Sequence, residues 1–144
     1  NGFPQDYTKA LELFHRAAEF GNAEAYGSIG YAYDYGEGVE VDKKNANHYY
    51  ELSAMMGDAT ARYNLGSNEE NEGNFDRSLK HYMIAAISGD GEALNAIKRL
   101  YKYGDATKDD YTKALQSYQT YLGEIKSSQR DEAAAYDNEE YRYY

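Results

Sequence analysis

The hexapeptide "DYTKAL" stands at residues 6–11 and again at 110–115, so the same six letters recur 104 residues apart in a chain of 144. Recurrence over that distance points to a repeated structural unit whose middle copies have drifted. With the Asp as phase marker, a shift of 36 residues reaches Asp42, which opens "DKKNANHYYELSAMMGD". A further 32 reaches Asn74, which opens "NFDRSLKHYMIAAISGD", and another 36 reaches Asp110. Four copies of one element run in phase from end to end.

Each marker is Asp or Asn, whose side chain accepts from the free amides of a first helical turn, and this predicts N-caps at Asp6, Asp42, Asn74 and Asp110. Four residues on stands a small residue (Ala10, Ala46, Ser78, Ala114), and eight on an aromatic (Phe14, Tyr50, Tyr82, Tyr118). Small pairs follow at Ala17-Ala18, Ser53-Ala54 and Ala85-Ala86, then Gly21, Gly57 and Gly89. Spacings of four and eight share one helical face, and a closing Gly stops a helix.

Between these helices lie partners at 23–39, 59–73 and 91–105, which align by Ala25, Ala61 and Ala93 and again by Ile29, Leu65 and Ile97. The unit is therefore helix A, turn, helix B. Neither helix can bury its apolar stripe alone, but stacked pairs share a continuous core. The expected fold is all-α, an α/α solenoid of helix–turn–helix repeats.

Within 23–58 the unit resembles a Sel1-like repeat, a relative of the tetratricopeptide repeat. Its pattern of Ala-x-x-x-Leu-Gly, Gly-x-Gly-Val, Asp, Lys-Ala, an aromatic and Ala-Ala finds Ala25, Ile29-Gly30, Gly36-Glu37-Gly38-Val39, Asp42, Asn45-Ala46, Tyr50 and Ser53-Ala54. The resemblance implies a right-handed superhelix and a non-catalytic protein–protein interaction module. The second copy lacks Gly-x-Gly-Val and turns through Glu72-Gly73-Asn74. The third has Lys98 where the family has Gly, and Tyr121-Leu122 where it has Ala-Ala. The wording of 4–13 and 42–56 is also similar to expanded repeat families of algae. Some of their members carry an N-terminal RING domain, which implies a substrate-recruiting part of a ubiquitin-ligase-type protein.

Five stretches follow: 1–22, helix B of an N-terminally truncated repeat; 23–58, a complete repeat; 59–90, a shortened one; 91–126, an atypical capping repeat; and 127–144, a C-terminal helix with an acidic, Tyr-rich tail. Residues 137–144 are expected to fray. The chain begins at Asn1 rather than Met, and an upstream segment is expected to cover the apolar residues of the leading helix.

Composition narrows the function. The formal charge of −10 opposes nucleic acid, because phosphate binding needs clustered Lys and Arg. No apolar run approaches the roughly 20 residues that span a bilayer, so no membrane insertion is expected. The absence of Cys excludes disulfides and thiolate metal sites.

Candidate chemistry is thin, and no catalysis and no cofactor are expected. Gly36-Glu37-Gly38 lacks the preceding strand and longer glycine pattern of a phosphate loop, and instead suits positive φ in the A–B turn. Glu12, His15 and Glu19 have the spacing of a helical di-metal site. Such a site needs matching carboxylates on facing helices, and His48 and His81 are out of phase with it. Glu69, Glu70 and Glu72 do not keep the alternation of a calcium loop.

In the tetratricopeptide superfamily helix A lines the concave surface. The residues it would point inward here are Ser28 and Tyr31, Asn64 and Ser67, and Asn95 and Arg99. Amides, hydroxyls and a guanidinium along such a groove can grip a peptide backbone. Tyr141, Tyr143 and Tyr144 around Arg142 form a second candidate, since aromatic and Arg side chains dominate binding hot spots. The expected partners are other proteins or peptides, met as an adaptor within a larger assembly. The alternative is a structural subunit permanently embedded in a large complex.

Overall fold

A computed structural model describes the backbone of residues 2–141 and the side chains of residues 2–135. The described residues form seven α-helices and no strand: α1 (Gln5–Glu19), α2 (Ala23–Tyr35), α3 (Lys43–Met55), α4 (Ala59–Asn71), α5 (Phe75–Ile87), α6 (Gly91–Lys102) and α7 (Lys108–Tyr141). Helices α2, α4 and α6 are the A helices of three hairpins, and α3, α5 and α7 are their B helices. Helix α1 is in phase with the B set. Each helix packs on the next in the chain, which is the nearest-neighbour order of an α/α solenoid.

The helix starts follow from side-chain caps. Asp42 accepts from Asn45 N at 3.0 Å and opens α3. The A helices are capped by Asn22, Asp58 and Asp90, each accepting from an amide of the first turn at 3.0 Å. The other phase markers behave differently from expectation. Asp6 lies inside the first turn of α1, whose N-cap is Pro4. Asn74 occupies the cap of α5 but donates its amide to Glu69 instead. Asp110 sits within α7 and exchanges hydrogen bonds with Thr107, each side chain accepting from the other's backbone N–H. In that capping box Thr107 takes the cap and the acid reaches back from the third position. Gly21, Gly57 and Gly89 close their helices with left-handed φ, as the sequence predicts.

Alanine and tyrosine build the core. Ala18, Ala25 and Ile29 join α1 to α2. Ala46, Tyr50, Ala54, Ala61 and Leu65 join α3 to α4. A larger cluster around Tyr82, Ala93, Ile97 and Leu100 unites α5, α6 and α7. Small side chains bring the helix axes close, and the aromatic eight residues after each phase marker fills what remains. In the first two complete hairpins the ring of that Tyr packs directly against a glycine of helix A. A methyl group on Gly30 would stand 2.6 Å from Cδ1 of Tyr50, and one on Gly66 would stand 2.7 Å from Cδ1 of Tyr82.

The third hairpin cannot repeat this contact, because Lys98 replaces the glycine. The hydroxyl of Tyr118 lies instead at the start of α6, beside Gly91, and α7 packs on α5 as well as on α6. Helix α7 then continues without a break across 126–127. Its helical backbone runs to Tyr141. At 34 residues the helix is about 50 Å long. Leu13 on α1 and Phe20 at its C-cap are exposed, Phe20 at 92%.

Candidate functional site

Three adjoining depressions run along the A helices. The first, about 500 Å³, lies between α2 and α4 and is lined by Glu24, Ser28, Tyr31, Asp58, Thr60 and Asn64 among others. The second, about 740 Å³, lies between α4 and α6 and shares Thr60 and Asn64 with the first, adding Tyr63, Asp90, Glu92 and Asn95. The third, about 630 Å³, shares Asn95 and continues along α6 to Tyr101, Tyr103 and Tyr111. Asn64 therefore lines both the first and the second depression, and Asn95 both the second and the third. An amide at such a point can both donate to and accept from a peptide unit.

Of the six side chains expected on this face, the structure brings five to the groove. Ser28, Tyr31 and Asn64 line the first depression, Asn64 and Asn95 the second, and Asn95 and Arg99 the third. Ser67 lines none of the three. Tyr31 is 43% exposed, with its ring 4.4 Å from that of Tyr35. The backbone of Tyr141 ends α7, and its side chain lies outside the described residues, as do Tyr143 and Tyr144.

Arg99 is not free for a ligand. Its Nη2 donates to both carboxylate oxygens of Glu70 on α4, at 3.0 and 2.7 Å, and its Nε to one of them at 3.3 Å. The Tyr82 hydroxyl donates to the same carboxylate at 2.7 Å. Glu70 thus ties α4, α5 and α6 together, and this bond raises the pKa of the guanidinium further. Burial first, and then the bond to Glu70, hold the Tyr82 hydroxyl well above the ordinary tyrosine value. The acidic run at the end of α4 is accordingly a structural latch: Glu69 accepts from Asn74 at 2.8 Å and lies 3.9 Å from Arg77.

The remaining candidates find structural roles. The His15 ring meets Tyr49 edge-on at 5.9 Å. Gly36 and Gly38 have φ of 75° and 76°, and a Cβ on Gly38 would stand 2.6 Å from the carbonyl oxygen of Tyr7. That loop is packed onto α1. Asp34 is buried, with Lys43 and the Tyr50 hydroxyl (3.1 Å) both donating to its carboxylate.

Sequence reasoning missed Glu24, Thr60 and Glu92, the charged and hydroxyl lip of the groove. It also missed the tyrosines and lysines of "KRLYKY" at its far end. The signal was positional: each lip residue lies two places after an A-helix cap, on the first turn.

Comparison with known proteins agrees with this architecture. The Sel1 repeat family model matches residues 1–22, 23–58 and 96–119, more than half of the chain. A Sel1 repeat protein from Oxalobacter formigenes superposes with a TM-score of 0.68 at 30% identity, over 85% of this chain and 52% of that one. The protective antigen c5321 of uropathogenic Escherichia coli superposes with a TM-score of 0.67 at 32% identity, over 86% of this chain and 27% of that one. A putative sel1-like repeat-containing protein of Acanthamoeba polyphaga mimivirus is 34% identical over 62 residues, 43% of this chain. The ERAD-associated E3 ubiquitin-protein ligase component HRD3B of Arabidopsis thaliana is 39% identical over 90 residues, 60% of this chain. The matches span only 12% and 15% of these two curated relatives. With its repeating Ala, Gly and Tyr contacts and its stacked hairpins, the chain belongs to the Sel1 repeat family.

Proposed function

We propose that this chain is a non-catalytic adaptor that binds partner proteins through the groove along its A helices, the concave face of the solenoid. Sel1 repeats typically serve protein–protein interaction. The observation that carries the reading here is the continuity of the three depressions through Asn64 and Asn95. A rigid stack of hairpins holds that groove open before a partner arrives, so little ordering entropy is lost on binding.

The test is a photo-crosslinking amino acid placed in the full chain at Thr60, inside the groove, or at Glu51, exposed on α3. Adducts from Thr60 that are lost on adding a competing groove peptide support the reading. Adducts from Glu51 alone would move the interface to the B helices.

The likeness to HRD3B favours a second, narrower reading, in which the bound protein is delivered to a ubiquitin-ligase assembly. Recovery of ubiquitin-ligase subunits with the Thr60 adducts supports it, and their absence opposes it. A subunit built permanently into a complex differs from both by not exchanging: added tagged chain would fail to enter assembled complexes.

A further inference from the structure

The charges along the groove are sorted by sign. Every side chain charged at neutral pH that lines the first two depressions is acidic, namely Glu24, Asp58, Asp90 and Glu92. Every such side chain lining the third is basic, namely Lys98, Arg99 and Lys102. From this polarity, and resting on the adaptor reading above, we infer that the bound segment is an extended peptide of split charge. Its Lys or Arg residues lie over the first turns of the A helices, and its Asp or Glu residues lie at the C-terminal end of α6.

The individual groups sharpen the inference. Asp58 and Asp90 are engaged as caps, so Glu24 and Glu92, both exposed on the lip, carry the acidic half toward a ligand. Arg99 is spent on Glu70, which leaves Lys98 and Lys102 for the basic half. Lys98 can occupy this place because the third hairpin gave up the glycine on which Tyr50 and Tyr82 rest in the others. The Tyr103 ring, with Lys102 Nζ 5.8 Å from its centroid, and the stacked pair of Tyr101 and Tyr111 at 5.9 Å add apolar faces beside those cations.

Length follows from geometry. Two steps between successive A helices, at about 8–10 Å each, and about 15 Å along α6 from Glu92 to Lys102 give a path of about 35 Å, the reach of about ten extended residues. Paired charges at a rim set register and orientation more than raw affinity, so a split-charge ligand is also held in one direction.

The test is selection of a random-peptide display library on the full chain. Enriched peptides should carry a Lys/Arg cluster and an Asp/Glu cluster on opposite sides of an uncharged centre. A fluorescent copy of the best peptide should lose about tenfold in affinity to Glu24→Gln with Glu92→Gln, and a similar factor to Lys98→Gln with Lys102→Gln. All four positions are exposed, so unchanged thermal melts should accompany these losses. Reversing the sign at all four should select peptides of reversed polarity. Enriched peptides of a single sign, or affinity indifferent to both double variants, would overturn the inference. Thr60→Trp separates its failure from that of the adaptor reading. Peptides that lose affinity to Thr60→Trp but ignore the charge variants leave the groove standing and remove only the charge assignment. Peptides indifferent to Thr60→Trp, or no enrichment at all, sink both.

Discussion

The ring of Tyr50 rests on the backbone of Gly30 with no room for a methyl group between them, and Tyr82 rests on Gly66 in the same way. The pair is a joint used twice, and it sets how closely α2 approaches α3 and α4 approaches α5. Alanine is the better helix former by about 1 kcal/mol, so propensity alone favours Gly→Ala at both places. The steric conflict wins, because the obstacle is the ring of a fully buried side chain rather than a flexible tip. Gly30→Ala and Gly66→Ala should each destabilise the chain by about 1–3 kcal/mol in urea unfolding. A raised midpoint in either variant would show that the hairpin opens without cost.

The same two tyrosines make the fold sensitive to alkali. Burial first, then the charge and hydrogen bond of Asp34, push the Tyr50 hydroxyl far above its ordinary value of 10.0; burial and Glu70 do the same for Tyr82. The folded chain holds these protons more tightly than the unfolded chain. Their contribution is therefore complete below about pH 10 and is lost as pH rises above it. Tyrosinate absorbance and helical circular dichroism should change together for these two groups, after the exposed tyrosines have titrated. In the double variant Tyr50→Phe, Tyr82→Phe, stability should fall less steeply above pH 10. An unaltered slope would place the alkaline lability elsewhere.

His81 makes a complementary prediction at acid pH. Burial first, and Arg62 second, lower its pKa below 6.5, against the opposing pull of Glu69 and Glu51, and its Nδ1 is buried without a hydrogen-bond partner. The unfolded chain takes up the proton more readily, so stability falls as pH drops through 6.5 toward the lowered value. His81→Gln should flatten that part of the profile when urea midpoints are compared across pH. A profile parallel to that of the wild type would remove His81 as the cause.

Much of this fold was legible because its repeat is written in residues with one structural meaning each. Ala25, Ala61 and Ala93 mark the A helices, and Tyr50 and Tyr82 mark the B helices where they cross a glycine. The helix caps were read less well. Asn22, Asp58 and Asp90 recur at the same steps of 36 and 32 residues as the B-helix markers, yet the "DYTKAL" match drew attention to Asp6 and Asp110, which lie inside their helices. An acid in the first turn and an acid at the cap look alike in sequence, because both answer the same exposed amides. Ser28 and Asn64 lie one 36-residue step apart and both line the first depression, but the next step of 32 falls on buried Ala96, so phase does not lead to Asn95. The Glu70 latch was not legible, because its partners lie 29 and 12 residues away and no local pattern announces such a bond.

That latch divides the roles of Arg99 and Asn64, which the sequence presents as equals. The exposed Arg99–Glu70 pair has bidentate geometry and joins α4 to α6. Arg99→Ala should cost about 1 kcal/mol of stability, near the upper end for exposed pairs, and should leave groove affinity within about twofold. Asn64 stands half-buried at the junction of two depressions. Asn64→Ala should leave the urea midpoint close to that of the wild type and weaken a groove peptide about fivefold, the loss of one hydrogen bond at about 1 kcal/mol. The two variants together should show independent losses, one read in stability and the other in binding. A large affinity loss in Arg99→Ala alone, at unchanged stability, would mean that the guanidinium leaves Glu70 to meet the ligand.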